Sequence, residues 1–160
     1  MFWRTCWGEA LSGILSRDLW GAYQRFSKDV ATVMLQLCWA YMIRDVLFLA
    51  KYPDESVVKY GNRLMNKIYA MFTTIHQKEA LPCETWIEQM NRHKKGILKT
   101  SQWDVPENKD ARNMAKRLKE HGAQYFVFIT EDIPPTNNPG EQVIRMLVID
   151  RKVTQGTRSG

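Results

Sequence analysis

The strongest constraint on the fold is a succession of apolar stripes, each repeating every three or four residues, that fills the middle of the chain. Leu35, Cys38, Met42, Val46 and Leu49 make the first stripe, and Tyr60, Leu64, Ile68, Met71 and Ile75 make the second. Residues spaced in this way lie on one side of a helix, because 3.6 residues complete a turn. Each stripe must be covered by something apolar, so the pattern predicts amphipathic helices packed on one another. Tyr52-Pro53-Asp54 ends the first helix and starts the next, and Leu81-Pro82 closes the second before Trp86, Met90 and Ile97 mark a third. Two antiparallel helices with a shorter partner are therefore expected. Pro106-Glu107 opens a further helix carrying Met114, Ala115 and Leu118, with Gly122 where a left-handed C-terminal cap is wanted.

The flanks read differently. Gly13-Ile14-Leu15-Ser16-Arg17 is a short apolar run that stops at Asp18, and Leu19 to Tyr23 is helix-like, so Asp18 sits where a strand ends. Gln124 to Thr130 is aromatic and β-branched, which leaves helix and strand both open. Ile133-Pro134-Pro135 is a rigid extended link, after which Asn138 can cap a helix and Pro139 fits its first position. The fold class is α/β, predominantly α-helical. With 160 residues and 44% hydrophobic content, the chain is long enough to bury one core as one unit, residues 1–160. Within it stand a strand at about 13–18, a helical stretch at about 30–121 and a helix at about 138–147.

A formal charge of +6 favours a polyanionic partner, nucleic acid or an acidic membrane surface. The most apolar stretch, Val30 to Ala50, is interrupted by Gln36 and by Arg44-Asp45, so it reads as a buried helix rather than a bilayer span. No membrane partner is expected. Trp3, Arg4, Trp7 and Glu9 break up the N-terminal region in a way that does not match an export signal. Cys6, Cys38 and Cys83 are odd in number and far apart, which suits a reducing interior, and His76, His93 and His121 are scattered in polar helical contexts where a solvated histidine is the simpler reading. Cys38-Trp39-Ala40-Tyr41 reads as core packing, and Arg44 with Asp45 as a buried or half-buried pair. Lys94-Lys95 with Lys99, and Lys116-Arg117 with Lys119, read first as solvated helix faces, with DNA contact as the alternative.

Pro135-Thr136-Asn137-Asn138, followed by Glu141 and Arg145 and then by Val148-Ile149-Asp150-Arg151-Lys152-Val153-Thr154-Gln155-Gly156-Thr157-Arg158-Ser159, resembles the terminal signature of the transposases of insertion-sequence family sixty-six. Gly13 to Tyr23 is similar to the strand and turn that carry that family's second catalytic aspartate. Cys38 to Asp45 and Ala115-Lys116-Arg117 resemble it as well, so the likeness runs from about Gly8 to the end. It implies a partial RNase H-like core with a large helical insertion packed beside the catalytic sheet. It also implies an Asp, Asp, Glu site holding two Mg²⁺ (or Mn²⁺) ions, and DNA cleavage and strand transfer at insertion-sequence ends in the bacterial cytoplasm, at the nucleoid. Hard cations take oxygen ligands, and carboxylates on different elements must converge on them. Carried onto this chain, the catalytic and metal-ligating residues are Asp18 and Glu141. Arg145, one turn beyond Glu141, is a supporting cation, and Asn137, Asn138, Arg151, Lys152 and Arg158 are DNA-binding or supporting residues.

Departures from the family pattern refine that expectation. The family's first aspartate belongs to a strand upstream of Gly13, and Met1 to Trp7 contain no Asp. These residues are therefore expected to be the C-terminal part of a catalytic domain, with two of its three carboxylates, and to be catalytically incomplete alone. Tyr41 stands where the family usually has histidine, Arg17 where a small residue is common and Pro134 where an acidic residue is frequent. Local chemistry offers bland alternatives: Glu141 is the third helical position after Asn138, the reciprocal partner of a capping box, and Asp18 is a helix cap before Leu19-Trp20. The functional alternative is a non-catalytic remnant that binds DNA or associates with full-length transposase.

Overall fold

The computed structural model describes residues 13–17, 33–131 and 133–136, and it is predominantly helical. Two strands, β1 (Gly13–Arg17) and β2 (Val33–Leu37), pair in parallel in the register Gly13↔Val33 through Arg17↔Leu37. Four helices follow: α1 (Trp39–Ala50), α2 (Glu55–His76), α3 (Cys83–Gln102) and α4 (Lys109–His121). Two short 3₁₀ turns, Gly122–Tyr125 and Val127–Ile129, complete the described chain before an extended segment at Ile133 to Thr136.

The first apolar stripe divides between two elements. Leu35 lies in β2, and the helix begins only at Trp39, with Cys38 extended between them. A strand covered on both faces is a nearly continuous apolar run, which periodicity does not separate from the start of a buried helix. What decides it is the ladder to β1, a partner twenty residues distant in sequence. The remainder of the stripe holds: Met42, Val46 and Leu49 are buried, with Trp39, Ala40 and Ile43 beside them.

Helix α2 follows the expected period closely. Asp54 is its N-cap, its carboxylate accepting from the Ser56 amide at 2.8 Å and the Ser56 hydroxyl at 2.7 Å. Those two donors hold the Asp54 carboxyl below the ordinary range. Tyr60, Leu64, Ile68 and Met71 are buried along one side. Gly61 is required where α2 passes α1, since a Cβ there would stand 2.5 Å from the Ala50 backbone nitrogen. Helix α3 is antiparallel to α2. The Tyr60 hydroxyl donates to the Ser101 carbonyl at 2.8 Å near one end, and the Trp86 indole N–H donates to the Thr74 carbonyl at 3.0 Å near the other. At 20 residues against 22, α3 is nearly as long as α2 rather than a shorter partner.

Helix α4 starts later than Pro106-Glu107 suggests. Asn108 is its cap, with Oδ1 accepting from the amides of Asp110 (2.9 Å) and Ala111 (3.1 Å). An asparagine that satisfies two otherwise unpaired amides stabilises a start point by about 1 kcal/mol, which outweighs the preference of proline for a first turn. Gly122 is not a left-handed cap either: it is right-handed helical at φ −54, ψ −42, and the chain tightens into a 3₁₀ turn. The absence of a side chain serves packing there, because a Cβ would stand 2.5 Å from Leu98 Cδ2. Gln124 to Thr130 likewise forms turns rather than a regular helix or strand. The one non-glycine residue with positive φ among the described residues is Asp104 (φ 48), in the α3–α4 loop. Arg63 holds that loop by donating to the carbonyls of Asp104 (3.0 Å) and Trp103 (3.3 Å).

The core lies where the four helices and the 3₁₀ turns meet, with Leu37, Trp39, Tyr60, Leu64, Met90 and Leu118 among its buried members. Among the described residues no helix is long and apolar enough to cross a membrane.

Candidate functional site

Asp18, Glu141, Asn137, Asn138, Arg145, Arg151, Lys152 and Arg158 all lie outside the described residues. What is described is the scaffold that leads into them. Asp18 is the residue next in the chain after β1, and Asn137 the residue next after Thr136. Both of these approaches come to one place, the edge of the sheet where β2 ends.

That edge is built around Gln36 and Trp39. Gln36 is fully buried, so each of its polar atoms must be satisfied within the protein. Its Nε2 donates to the Leu37 carbonyl at 2.7 Å and the Tyr125 carbonyl at 3.1 Å, and its Oε1 accepts from the Phe128 amide at 2.9 Å. A strand side chain thereby takes the place of a neighbouring strand for the 3₁₀ turns. Trp39, also fully buried, donates its indole N–H to the Tyr125 carbonyl at 2.6 Å. Its ring packs edge-on against Phe72 at 6.3 Å and Phe126 at 5.3 Å between centroids. Its backbone amide, an unpaired donor at the start of α1, donates to the Pro135 carbonyl at 3.2 Å.

The last of these bonds closes the arrangement. Residues 133–136 return to the N-terminus of α1 at Trp39, two residues past Leu37, where β2 leaves its pairing with β1. Thr136 is buried there. The β1–β2 ladder ends with Arg17 opposite Leu37, so the segments preceding Asp18 and Asn137 share the C-terminal edge of a parallel pair. In open α/β sheets that edge is where ligands bind, because strand ends and helix N-termini converge on it. Tyr41, in the first turn of α1, is 39% exposed beside this edge, with the Arg44 guanidinium 5.3 Å from its ring.

A second contact braces the edge from the helical side. Asp45 on α1 accepts from Arg117 on α4 at 2.7 Å, with both side chains mostly buried, whereas its neighbour Arg44 is exposed and reaches it only at 3.5 Å. The expected Arg44–Asp45 pair is thus the weaker partner of a tertiary ion pair. Burial pushes the Tyr125 phenol up to about 12, against the opposing effect of the Arg117 guanidinium beside it. The phenol is therefore neutral across the physiological range and acts as a fixed dipole at the junction. Gln36 and Arg117 were not singled out for these roles by sequence reasoning. The available signals were a polar residue inside an apolar run and a cation one residue from an apolar stripe.

The remaining sequence readings divide. Cys38, Trp39 and Ala40 are core residues, but Tyr41 faces solvent. His93 is half-buried and within 2.8 Å of the Thr74 hydroxyl rather than solvated, while His76 is exposed. Among the described residues no group of three or more His, Cys, Asp or Glu side chains is placed to hold a metal ion.

A sequence model of the family described as Transposase IS66 family matches residues 4–160. No curated protein and no solved structure matches the chain.

Proposed function

From its membership of the IS66 transposase family, to which the chain belongs on a match over residues 4–160, we propose that the sheet edge carries part of a metal-dependent site for cleavage and joining of insertion-sequence DNA, with Asp18 and Glu141 as ligands. The fold around that edge is read as RNase H-like, with α1 to α4 as an insertion whose two ends return to the sheet.

The observation that carries this reading is the Trp39–Pro135 backbone bond. It ties the segment that leads toward Glu141 to the end of β2, whose pairing partner leads directly to Asp18. The described segments that precede the two carboxylates, which stand more than a hundred positions apart in sequence, thereby end at one edge, and this supports reading Asp18 and Glu141 as parts of one site. The donor chemistry fits the metal: carboxylate oxygens suit hard divalent cations such as Mg²⁺ or Mn²⁺. When bound, such a pair of ions supplies an activated oxygen nucleophile and stabilises the leaving oxygen of a phosphodiester. The chain's own residues hold and orient. Asp18 and Glu141 fix the ions, Arg145 neutralises phosphate charge, and Asn137, Asn138, Arg151, Lys152 and Arg158 contact the DNA or the backbone around it. Tyr41, exposed beside the edge, is positioned to meet the same substrate.

Asp18 and Glu141 stand for two of the family's three carboxylates, and a site of those two alone is incomplete as a catalyst, since one missing ligand leaves a metal under-coordinated. The test is Mn²⁺ binding followed by electron paramagnetic resonance, together with nicking of terminal-repeat DNA. The expected result is weak Mn²⁺ binding that Asp18→Asn or Glu141→Gln abolishes, and no nicking by the chain alone. Unchanged Mn²⁺ binding in both variants would remove the two residues from the site. Metal-dependent nicking by the isolated chain, lost in Asp18→Ala, would overturn the incompleteness. DNA binding or co-purification with intact transposase, without any metal effect, would favour the non-catalytic reading.

A further inference from the structure

The basic residues of the helical body are concentrated in one part of the sequence. Between Asn91 and His121 lie nine Lys and Arg (92, 94, 95, 99, 109, 112, 116, 117 and 119) against four Asp and Glu (104, 107, 110 and 120). The structure sorts these cations into two groups. Arg117 is turned inward to Asp45, and the Lys94 ammonium lies 5.8 Å from the centre of the Phe126 ring. Arg92 pairs with Glu88 at 2.7 Å, Arg112 with Glu107 at 3.0 Å and Lys116 with Glu120 at 3.9 Å. Lys95, Lys99, Lys109 and Lys119 are exposed and make no ion pair with any described residue; Lys109 stands at the start of α4, and the other three lie along the α3–α4 contact.

The packing of α3 on α4 places these three together. The Gln102 amide donates to the Ala115 carbonyl at 2.8 Å, and Leu98 packs against Gly122, so the two helices run antiparallel with those contacts as rungs. Lys99 falls between the two rungs on α3, and Lys119 falls between them on α4. Lys95 stands one turn from Lys99 on the same side of α3, about 6 Å along the axis. That distance is close to two phosphate steps along one strand of a duplex, at about 3.4 Å each. Covered apolar residues account for the other sides of both helices, Trp86, Met90 and Ile97 on α3 and Met114, Ala115 and Leu118 on α4.

We propose that the solvent side of the α3–α4 pair is a docking surface for the phosphate backbone of duplex DNA, with Lys95, Lys99 and Lys119 as its contacts. The inference rests on the reading of the chain as a DNA-acting protein and adds a surface remote in sequence from Asp18 and Glu141. Lysine ammonium groups are hydrated point charges without the planar fork that reads guanine, so the surface holds DNA without selecting sequence. Contact with n phosphates releases counterions, and the salt dependence of binding counts them at about 0.9 per contact.

The experiment measures binding of the 160-residue chain to two duplexes of unrelated sequence over a range of salt, for the wild type and for the Lys95→Gln/Lys99→Gln/Lys119→Gln variant. The expected result is a slope of log K against log[salt] shallower by about 2.7, with equal weakening on both duplexes. A Lys59→Gln/Lys67→Gln control on α2 keeps the wild-type slope. An unchanged slope in the triple variant, weakening confined to one duplex, or wild-type binding to anionic vesicles but not to duplex would each overturn the proposal. Asp18→Asn and Glu141→Gln separate the two readings. They leave the slope intact if the surface acts as described, whatever becomes of Mn²⁺ binding.

Discussion

The helical body and the sheet edge are held together by different means. In the body, neighbouring helices cover one another's apolar sides, and polar bonds such as Tyr60–Ser101 and Trp86–Thr74 only fix their alignment. At the edge, two strands of five residues are joined to the rest through buried polar groups whose partners lie far along the chain: Gln36 to Phe128 and Tyr125, and Trp39 to Tyr125 and Pro135. The first kind of cohesion is spread over many small contacts and tolerates the loss of a few. The second is concentrated in a few groups, each of which leaves a buried partner unsatisfied when removed. The part of the molecule nearest the proposed site is therefore the part most exposed to the loss of a single polar group.

Three substitutions separate these regimes. The largest effect is expected at Gly61, where the body has no tolerance: Gly61→Ala drives a Cβ into the Ala50 backbone and lowers stability by about 3 kcal/mol, read as a shift in the urea midpoint. A shift near zero would show that α1 and α2 slide apart easily and that the body is less tightly packed than its buried stripe implies. Next is Gln36→Leu, which removes the partner of the Phe128 amide and costs about 2 kcal/mol. Its signature is local. Amide exchange should speed up at Phe128, with little change in the α2–α3 pair. Uniform acceleration throughout the chain would mean that edge and body unfold as one, and the contrast drawn above would fail.

The smallest effect is a pH dependence within the body. Burial, with a further contribution from Lys67, holds the His93 imidazole below its ordinary value of 6.5. The folded state thus prefers the neutral ring more strongly than the unfolded chain does. The stability this group contributes is fully present above pH 6.5 and is lost as the pH falls through that value toward the folded one. His93→Gln should flatten the thermal midpoint against pH in that window, and an undiminished slope would assign it to another group.

The same contrast explains what could be read in the sequence. The stripes Tyr60–Leu64–Ile68–Met71 and Met114–Ala115–Leu118 declare helices because helical burial repeats within a few residues. Tyr52-Pro53-Asp54 declares a helix start because the amide that Asp54 caps is only two residues away. Gly13 to Arg17 showed a strand, but its partner did not show: Leu35 fitted the helical spacing, and only the ladder to β1 draws it into a strand. Gln36 looked like an interruption of an apolar run, and its meaning depends on a carbonyl and an amide about ninety positions later. The helix start at Pro106-Glu107 and the cap at Gly122 were misjudged for a similar reason. The choice between two adjacent start signals, and between a cap and a close approach to Leu98, is made by neighbours in space. The roles proposed for Asp18, Glu141, Arg145 and the residues grouped with them rest on the family likeness rather than on any local pattern.

The bond between Trp39 and Pro135 has a consequence for how such a chain can change over evolutionary time. A segment of roughly a hundred residues leaves the sheet and comes back to the point it left. If that segment were featureless, closing it would cost roughly 4 kcal/mol of chain entropy; the packed helices meet that cost with their own burial. Because both ends are pinned at one point, residues added or deleted at the exposed 77–82 turn between α2 and α3 leave the spacing at the sheet unaltered. The helical body can in this sense change length at that turn while the pair of strand ends stays as it is.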